Sequence, residues 1–328
     1  MDVVTVTENG LYCPLGNFYI DPWRPVACAV LTHAHGDHAR AGSERYFAAE
    51  PGAGLLRQRL GLDTSLIEKA YAEPFELGAA RLSLLPAGHV LGSAQIRIET
   101  ESGVWIVTGD YKRASDPTCA PFEASRCDVM ISEATFALPC YRWPQTRDVI
   151  ADIYRWWMEN RARGRASALF CYALGKAQRV LAELLHFTDE SIYLHGAVVP
   201  LVEEYRRRGI SMLPTEPVVR QRKADYAGAL IIAPPSAAGT PWMRRFPEVS
   251  TGFCSGWMRI RGARRRRGYD RGFTLSDHAD WAALLQTIRE SGASRVLLTH
   301  GYTHALERFL RERGTNAAAL RTAYGDEE

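Results

Sequence analysis

The chain has 328 residues, of which 46% are hydrophobic and 23% charged, an ordinary balance for a soluble globular protein of roughly two domains. A core of that size needs no disulfide or metal staple, so any metal here serves chemistry rather than folding. The net charge of +3 is too small to name a partner. Its distribution is uneven, because residues 259–271 are basic and Arg264, Arg265, Arg266 and Arg267 are consecutive. Such a run attracts phosphate through counterion release, and its alternative is a solvated loop.

The seven cysteines, Cys13, Cys28, Cys119, Cys127, Cys140, Cys171 and Cys254, are odd in number and no pair has C-x-x-C spacing. This reads as reduced thiols in a cytoplasmic protein. The N-terminal residues lack a basic segment followed by an apolar run, so no signal peptide is expected. No apolar stretch reaches the roughly 18 residues of a membrane span, and no membrane partner is expected.

In chain order, the first part reads as short strands with turns: residues 3–7, 18–20, 27–32, 80–85, 94–99, 104–107 and 128–132. Gly78, Gly88, Gly92 and Gly103 lie near their ends. The pattern then changes. Residues 146–161 carry Val149, Ile150, Ile153, Trp156, Trp157 and Met158 at helical spacing, with Gly164 as a stop. A strand at 168–172, helix at 176–185, strand at 192–194, helix at 200–208 and strand at 230–233 follow, an alternation that predicts a small α/β unit. After the arginines come an apolar segment at 273–275, a helix at 281–290, a strand at 295–298, a helix at 305–312 and a frayed tail from 322. We therefore expect a β-rich sandwich (1–145) interrupted by an α/β cap (146–270), with 271–328 returning to the sandwich.

The residues that carry chemistry begin at Thr32-His33-Ala34-His35-Gly36-Asp37-His38, directly after an apolar strand. Imidazoles and a carboxylate suit zinc and similar divalent ions. The alternating His33 and His35 can face one metal, and Asp37 and His38, past the Gly36 turn, a second. His89 in Gly88-His89-Val90, Asp110 in Gly109-Asp110-Tyr111 and His300 in Thr299-His300-Gly301 each sit where a strand opens into a loop. All can converge on one rim of a sandwich.

These motifs resemble a known family. His33, His35, Asp37 and His38 match the H-x-H-x-D-H signature of metallo-β-lactamase-fold hydrolases, and His89 and Asp110 match its next two metal-binding motifs. Ile131-Ser132-Glu133-Ala134-Thr135 resembles motif A of the β-CASP nucleases, with Glu133 as its acid. Thr274-Leu275-Ser276-Asp277-His278-Ala279-Asp280 resembles motif B, with His278 as its histidine, and Thr299-His300-Gly301 resembles motif C. Asp21 matches the family's first motif, an acid that supports the metal loop rather than binding metal. The resemblance spans nearly the whole chain and is nearest to the bacterial ligase-associated DNA exonucleases. His300 is a departure, since the DNA crosslink-repair branch typically lacks a histidine there and the RNA-processing branch has one. DNA and RNA therefore both stay open.

The resemblance implies an α/β (α+β) fold, a metallo-β-lactamase αββα sandwich with an inserted β-CASP cap. It implies two divalent ions, zinc or manganese, that lower the pKa of a shared water. His33, His35, His89 and Asp110 would hold one ion, and Asp37, His38, Asp110 and His300 the other. The catalytic set would be Asp37, His278 as general acid and Glu133 orienting and charging its imidazole. Lys176 and Gln178, which open a helix in Tyr172-Ala173-Leu174-Gly175-Lys176-Ala177-Gln178, are candidates to bind phosphate. So are Ser255, Gly256 and Arg259. Trp257, Tyr141, Arg142 and Trp143 either stack on bases or pack internally.

The leading expectation is a DNA exonuclease in repair, with nucleic acid as partner and a functional link to a DNA ligase. The alternatives are an RNase of the same fold, a small-molecule thioester or lactam hydrolase, which the cap and motifs A and B argue against, and a metal-free nucleic-acid-binding pseudoenzyme.

Overall fold

The computed structural model describes residues 2–219, 226–260 and 268–322. The run Arg264 to Arg267 and the tail beyond Thr322 lie outside the described residues. The chain divides into two compact units, Met1–Tyr141 with His278–Glu328, and Arg142–Asp277. The second unit begins and ends a few residues outside the expected 146–270.

The first unit contains two sheets. One has six strands in the order Thr5–Thr7, Gly10–Cys13, Phe18–Ile20, Cys28–Val30, Arg45–Ala49 and Leu66–Lys69. The other has seven, in the order Asn316–Ala319, Arg295–Gly301, Val129–Ala134, Gly103–Val107, Ala94–Thr100, Ala80–Pro86 and Phe75–Leu77. Successive side chains of a strand point to opposite faces, and here both faces are apolar. Trp105, Val107, Ile131 and Leu297 join Val30, Phe47 and Phe18 in the core shared by the two sheets. Their neighbours Ile106, Met130, Val296 and Leu298 pack with Trp281, Leu284, Ile288, Leu306 and Leu310 of the helices Trp281–Ser291 and Thr303–Arg311. That alternation makes the seven-stranded sheet an inner layer of a mixed α/β sandwich.

The second unit has one six-stranded sheet, parallel throughout, in the order Thr215–Pro217, Ile192–Leu194, Leu230–Ala233, Ala166–Phe170, Val249–Cys254 and Arg271–Phe273. Parallel neighbours require crossover connections, which the helices supply. Thr146–Arg161 matches the spacing prediction and buries Val149, Ile150, Ile153, Trp156 and Trp157. Its indoles are also bonded: Trp157 Nε1 donates to Gly228 O (2.8 Å) and Trp156 Nε1 to Ser250 Oγ (3.2 Å).

Several elements escaped the sequence reading. The helix Ala53–Leu60 is too short to show a period, and Phe75–Leu77 is a three-residue strand. Asn316–Ala319 is alanine-rich, which favours helix locally. It pairs in parallel with Arg295–Gly301 because that sheet offers an open ladder. No described helix is long and apolar enough to cross a membrane.

Candidate metal centre

Every predicted metal-ligand residue lies at or just past the end of a strand of the first unit. The loop carrying His33, His35, Asp37 and His38 follows Cys28–Val30, His89 follows Ala80–Pro86, and Asp110 follows Gly103–Val107. Two backbone features bring these ends together. Gly109 has φ +54°, and a Cβ there would stand 2.6 Å from the Thr32 Cβ, so only glycine lets the Asp110 loop meet the histidine loop. At the other side, Glu133 pairs with Thr299 and Ala134 with Gly301, which leaves His300 as an extra, bulged residue with φ 60°. A bulge re-aims a side chain that regular alternation would direct elsewhere. Gly301 makes room for it, since a Cβ there would lie 2.4 Å from Thr135 Cα.

Hydrogen bonds then fix which ring nitrogen faces inward. Asp21, itself at φ 43°, accepts from Thr32 N (2.8 Å), Thr32 Oγ1 (2.5 Å) and His38 Nδ1 (2.7 Å). Thr32 has one hydroxyl proton, which it gives to Asp21, so it accepts at 3.0 Å from His33 Nδ1. Both imidazoles are thereby left with Nε2 as the ligand nitrogen. Ser93 Oγ accepts from His89 N (3.1 Å) and Val90 N (3.2 Å), bracing the next histidine. Thr299 Oγ1 lies 3.1 Å from His300 Nδ1.

The donor atoms of the predicted ligands converge in two groups, and a third group joins Asp110 to Glu133 and His278. His33, His35, His89 and Asp110 form one, and Asp37, His38 and His300 another. His33 Nε2 and His89 Nε2 each lie 3.0 Å from His35 Nδ1, and 3.5 and 3.7 Å from Asp110 Oδ2. A tetrahedral ion with bonds of roughly 2.0–2.1 Å sets its donors about 3.3 Å apart, so these separations suit one. Asp110 Oδ2 is also 3.5 Å from His38 Nε2, which lies 3.7 Å from Asp37 Oδ2. The His38 and His300 rings stack at 5.1 Å. The clusters fit a dinuclear metal site with Asp110 between its halves.

The electrostatics of His33, His300 and Asp110 agree with that fit, and an ion at the second cluster would take the place of a proton on His38. Burial, with the charge of His38, holds His33 well below the usual histidine range, and burial likewise pushes His300 down to about 4. Both are then neutral, the form in which an imidazole can hold a metal. Burial opposes ionisation of Asp110, but His38, His278 and His33 outweigh it and keep the carboxylate charged. Burial also opposes a charged His38, yet Asp110 and Asp21 hold that imidazole well above its ordinary value.

Beside this centre, His278 Nδ1 donates to Glu133 Oε2 (2.9 Å), and the other carboxylate oxygen accepts from Tyr111 N (2.7 Å). Ala279 N donates to Tyr111 O (2.6 Å). The His278 ring lies 4.7 Å from that of His89 and 5.8 Å from Phe136, edge-on to the latter. Sequence reasoning missed Thr32, Ser93 and Phe136. Thr32 and Ser93 are signalled only by standing one and four residues from ligand histidines.

The predicted phosphate contacts of the second unit are corrected in part. Lys176 Nζ bonds Asp277 Oδ2 (2.6 Å) and is 3% exposed. Gln178 accepts from Gly175 N (2.7 Å) and donates to Ala173 O (2.9 Å). Gln178 thus serves the strand-to-helix turn, and Lys176 is committed to Asp277. Ser255 is buried and caps Trp257 N, and Gly256 is buried beside it. Arg259 is exposed. Trp257 packs on an apolar cluster, and Tyr141 is buried against Tyr302 and Phe136.

Asp21→Asn is expected to weaken metal binding by ~10–100-fold, because it replaces the anionic acceptor that fixes the His38 and Thr32 orientations. Competition with a zinc-chelating dye measures this, and unchanged affinity would remove the supporting role.

No family model matches the chain. A protein of Opitutus terrae named a probable DNA ligase is 34% identical over 323 residues, covering 95% of this chain and 30% of that protein. An archaeal protein of Saccharolobus solfataricus, named RNase aCSPSF2, is 30% identical over 117 residues, 35% of this chain and 23% of that one. The chain thus spans under a third of the length of either relative. A crystal structure of a protein of unknown function from Enterococcus faecalis superposes with TM-score 0.60 at 13% identity, over 91% of this chain and 80% of that chain, and shares the fold. With its sandwich and its strand-end histidine and aspartate clusters, the chain belongs to the β-CASP family of metallo-β-lactamase-fold proteins.

Proposed function

We propose that this protein is a metal-dependent phosphodiesterase that hydrolyses nucleic-acid backbone, and that it acts as a DNA exonuclease in repair. The observation that carries the reading is the pair of ligand clusters meeting at Asp110 beside the His278–Glu133 pair. The first unit is read as the metallo-β-lactamase domain and the second as the β-CASP cap, with Arg259 as a strand contact. His33, His35, His89 and Asp110 would hold one ion, and Asp37, His38 and His300 with Asp110 the other. Two bound divalent ions, zinc with manganese as the alternative, supply a water of lowered pKa and neutralise charge on the phosphoryl oxygens. Asp37 completes the catalytic set at the exposed side of the centre. His278 hands its proton to the leaving oxygen, while Glu133 holds the ring in the Nδ1–H tautomer and stabilises its charged form.

DNA is supported by the Opitutus relative, whose name is that of a ligase and of which this chain matches about a third. Trimming of ends followed by joining is the functional link we infer. The odd number and spacing of the cysteines are what support a cytoplasmic setting. A ribonuclease is the second reading, favoured by His300 and by the RNase-named relative. The test is digestion of end-labelled single-stranded DNA and matched RNA by the wild type and Asp37→Ala, in zinc and in manganese. Trimming of DNA from one end, lost in the variant, supports the proposal. Cleavage of RNA alone transfers it to the second reading, and cleavage of neither removes both.

A further inference from the structure

The second unit buries three charges that the proposed chemistry does not use. Lys176, Arg179 and Asp277 are 3%, 2% and 4% exposed. Lys176 Nζ donates to Asp277 Oδ2 (2.6 Å), and Arg179 Nη1 lies 3.3 Å from Asp277 Oδ1. The same guanidinium donates to Ser276 O (2.7 Å) and Thr146 Oγ1 (2.7 Å). Taking ions out of water is costly, and well-packed apolar side chains often serve stability as well or better. What a bonded charge cluster adds is direction. Here three of the contacts end on Ser276 and Asp277, the two residues before His278.

The peptide bond joining Asp277 to His278 is planar, so fixing Asp277 leaves the His278 Cα little freedom beyond the two flanking torsions. On the other side of His278, the Ala279 N–H is bonded to Tyr111 O, and Tyr111 N–H to Glu133. The histidine is therefore held from both directions along its own chain. We infer that Lys176 and Arg179, acting through Asp277, are positioning residues that set where the His278 imidazole stands. The inference rests on the proposed role of His278 as proton donor to the leaving oxygen. A displacement of about 1 Å in such a donor costs up to roughly a hundredfold in rate.

The experiment compares two phosphodiesters in one zinc-loaded sample: end-labelled single-stranded DNA, whose leaving alkoxide needs a proton, and bis(p-nitrophenyl) phosphate, whose leaving phenolate does not. Lys176→Met removes one charge and leaves the Arg179–Asp277 pair in place. It is expected to lower the ratio of DNA to aryl-ester rate by roughly ten- to a hundredfold, and Lys176→Arg to restore most of it. A smaller folded or metal-loaded fraction lowers both rates together and leaves the ratio unmoved. His278→Ala is the control. If it collapses the ratio while Lys176→Met does not, the positioning inference is overturned and the reading of His278 survives. If His278→Ala itself leaves the ratio unchanged, the proton-donor reading fails and the inference falls with it.

Discussion

Asp110→Asn is expected to cost the protein its two-ion occupancy and to lower cleavage by more than about a hundredfold, beyond what loss of a merely supporting partner costs. The carboxylate is 6% exposed and its Oδ2 stands within 3.7 Å of His33 Nε2, His38 Nε2 and His89 Nε2. It belongs to the first cluster and faces His38 of the second, which is why we propose it as the anionic ligand shared by both ions, and the neighbouring imidazoles keep it charged despite its burial. Asparagine has nearly the same shape but no charge. It presents one carbonyl oxygen and turns an NH2 toward cations or toward imidazole lone pairs. Elemental analysis after dialysis against a weak chelator gives the ions per chain for wild type and variant. A variant that keeps two ions and works within tenfold of wild type would show that Asp110 bridges nothing.

His278→Ala should behave in the opposite way, with both ions retained and turnover down by about 10²–10⁴-fold, the range of a lost general acid. The residue lies outside the two histidine-rich clusters, although it groups with Asp110 and Glu133 at their side. Its side chain is 22% exposed against 1% for Glu133, so a buried carboxylate holds an imidazole that substrate can reach. Glu133→Gln tests the same pair from behind. The two glutamate oxygens accept from Tyr111 N and from His278 Nδ1. Glutamine has one oxygen to give, and if it serves the Tyr111 N–H, its NH2 meets His278 Nδ1. The ring must then accept there and stay neutral, so the variant should lose most of the turnover that His278→Ala loses. Full activity in either variant, with metal content unchanged, would take the pair out of the mechanism.

The candidate ligand types could be picked out in the sequence because metal chemistry restricts them to a few side chains. Four of them also fall between His33 and His38, where one strand end supplies them together. Helices with a clear period, such as Thr146–Arg161, were legible for the same local reason. The short strand Phe75–Leu77 and the alanine-rich strand Asn316–Ala319 were not. Too few residues repeat in the first, and local propensity opposes the second. Lys176 and Gln178 show the limit most clearly. A glycine, a lysine and a glutamine opening a helix have the local form of a phosphate site. Whether the lysine is free depends on Asp277, which is 101 residues away in sequence.

The sequence by itself determined the chemistry this protein has in hand: which residues are ligand types, in what order they occur, and that β-rich and α/β segments alternate around them. Those properties follow from side-chain identity and near-neighbour spacing. Only the tertiary structure decided which of those residues meet. The bulge at His300, the close approach that Gly109 permits and the tautomers imposed by Thr32 and Asp21 each depend on contacts between separate segments of the chain. So does the commitment of Lys176 to Asp277. A ligand atom is placed to within tenths of an ångström by its partners, and those partners are distant in sequence.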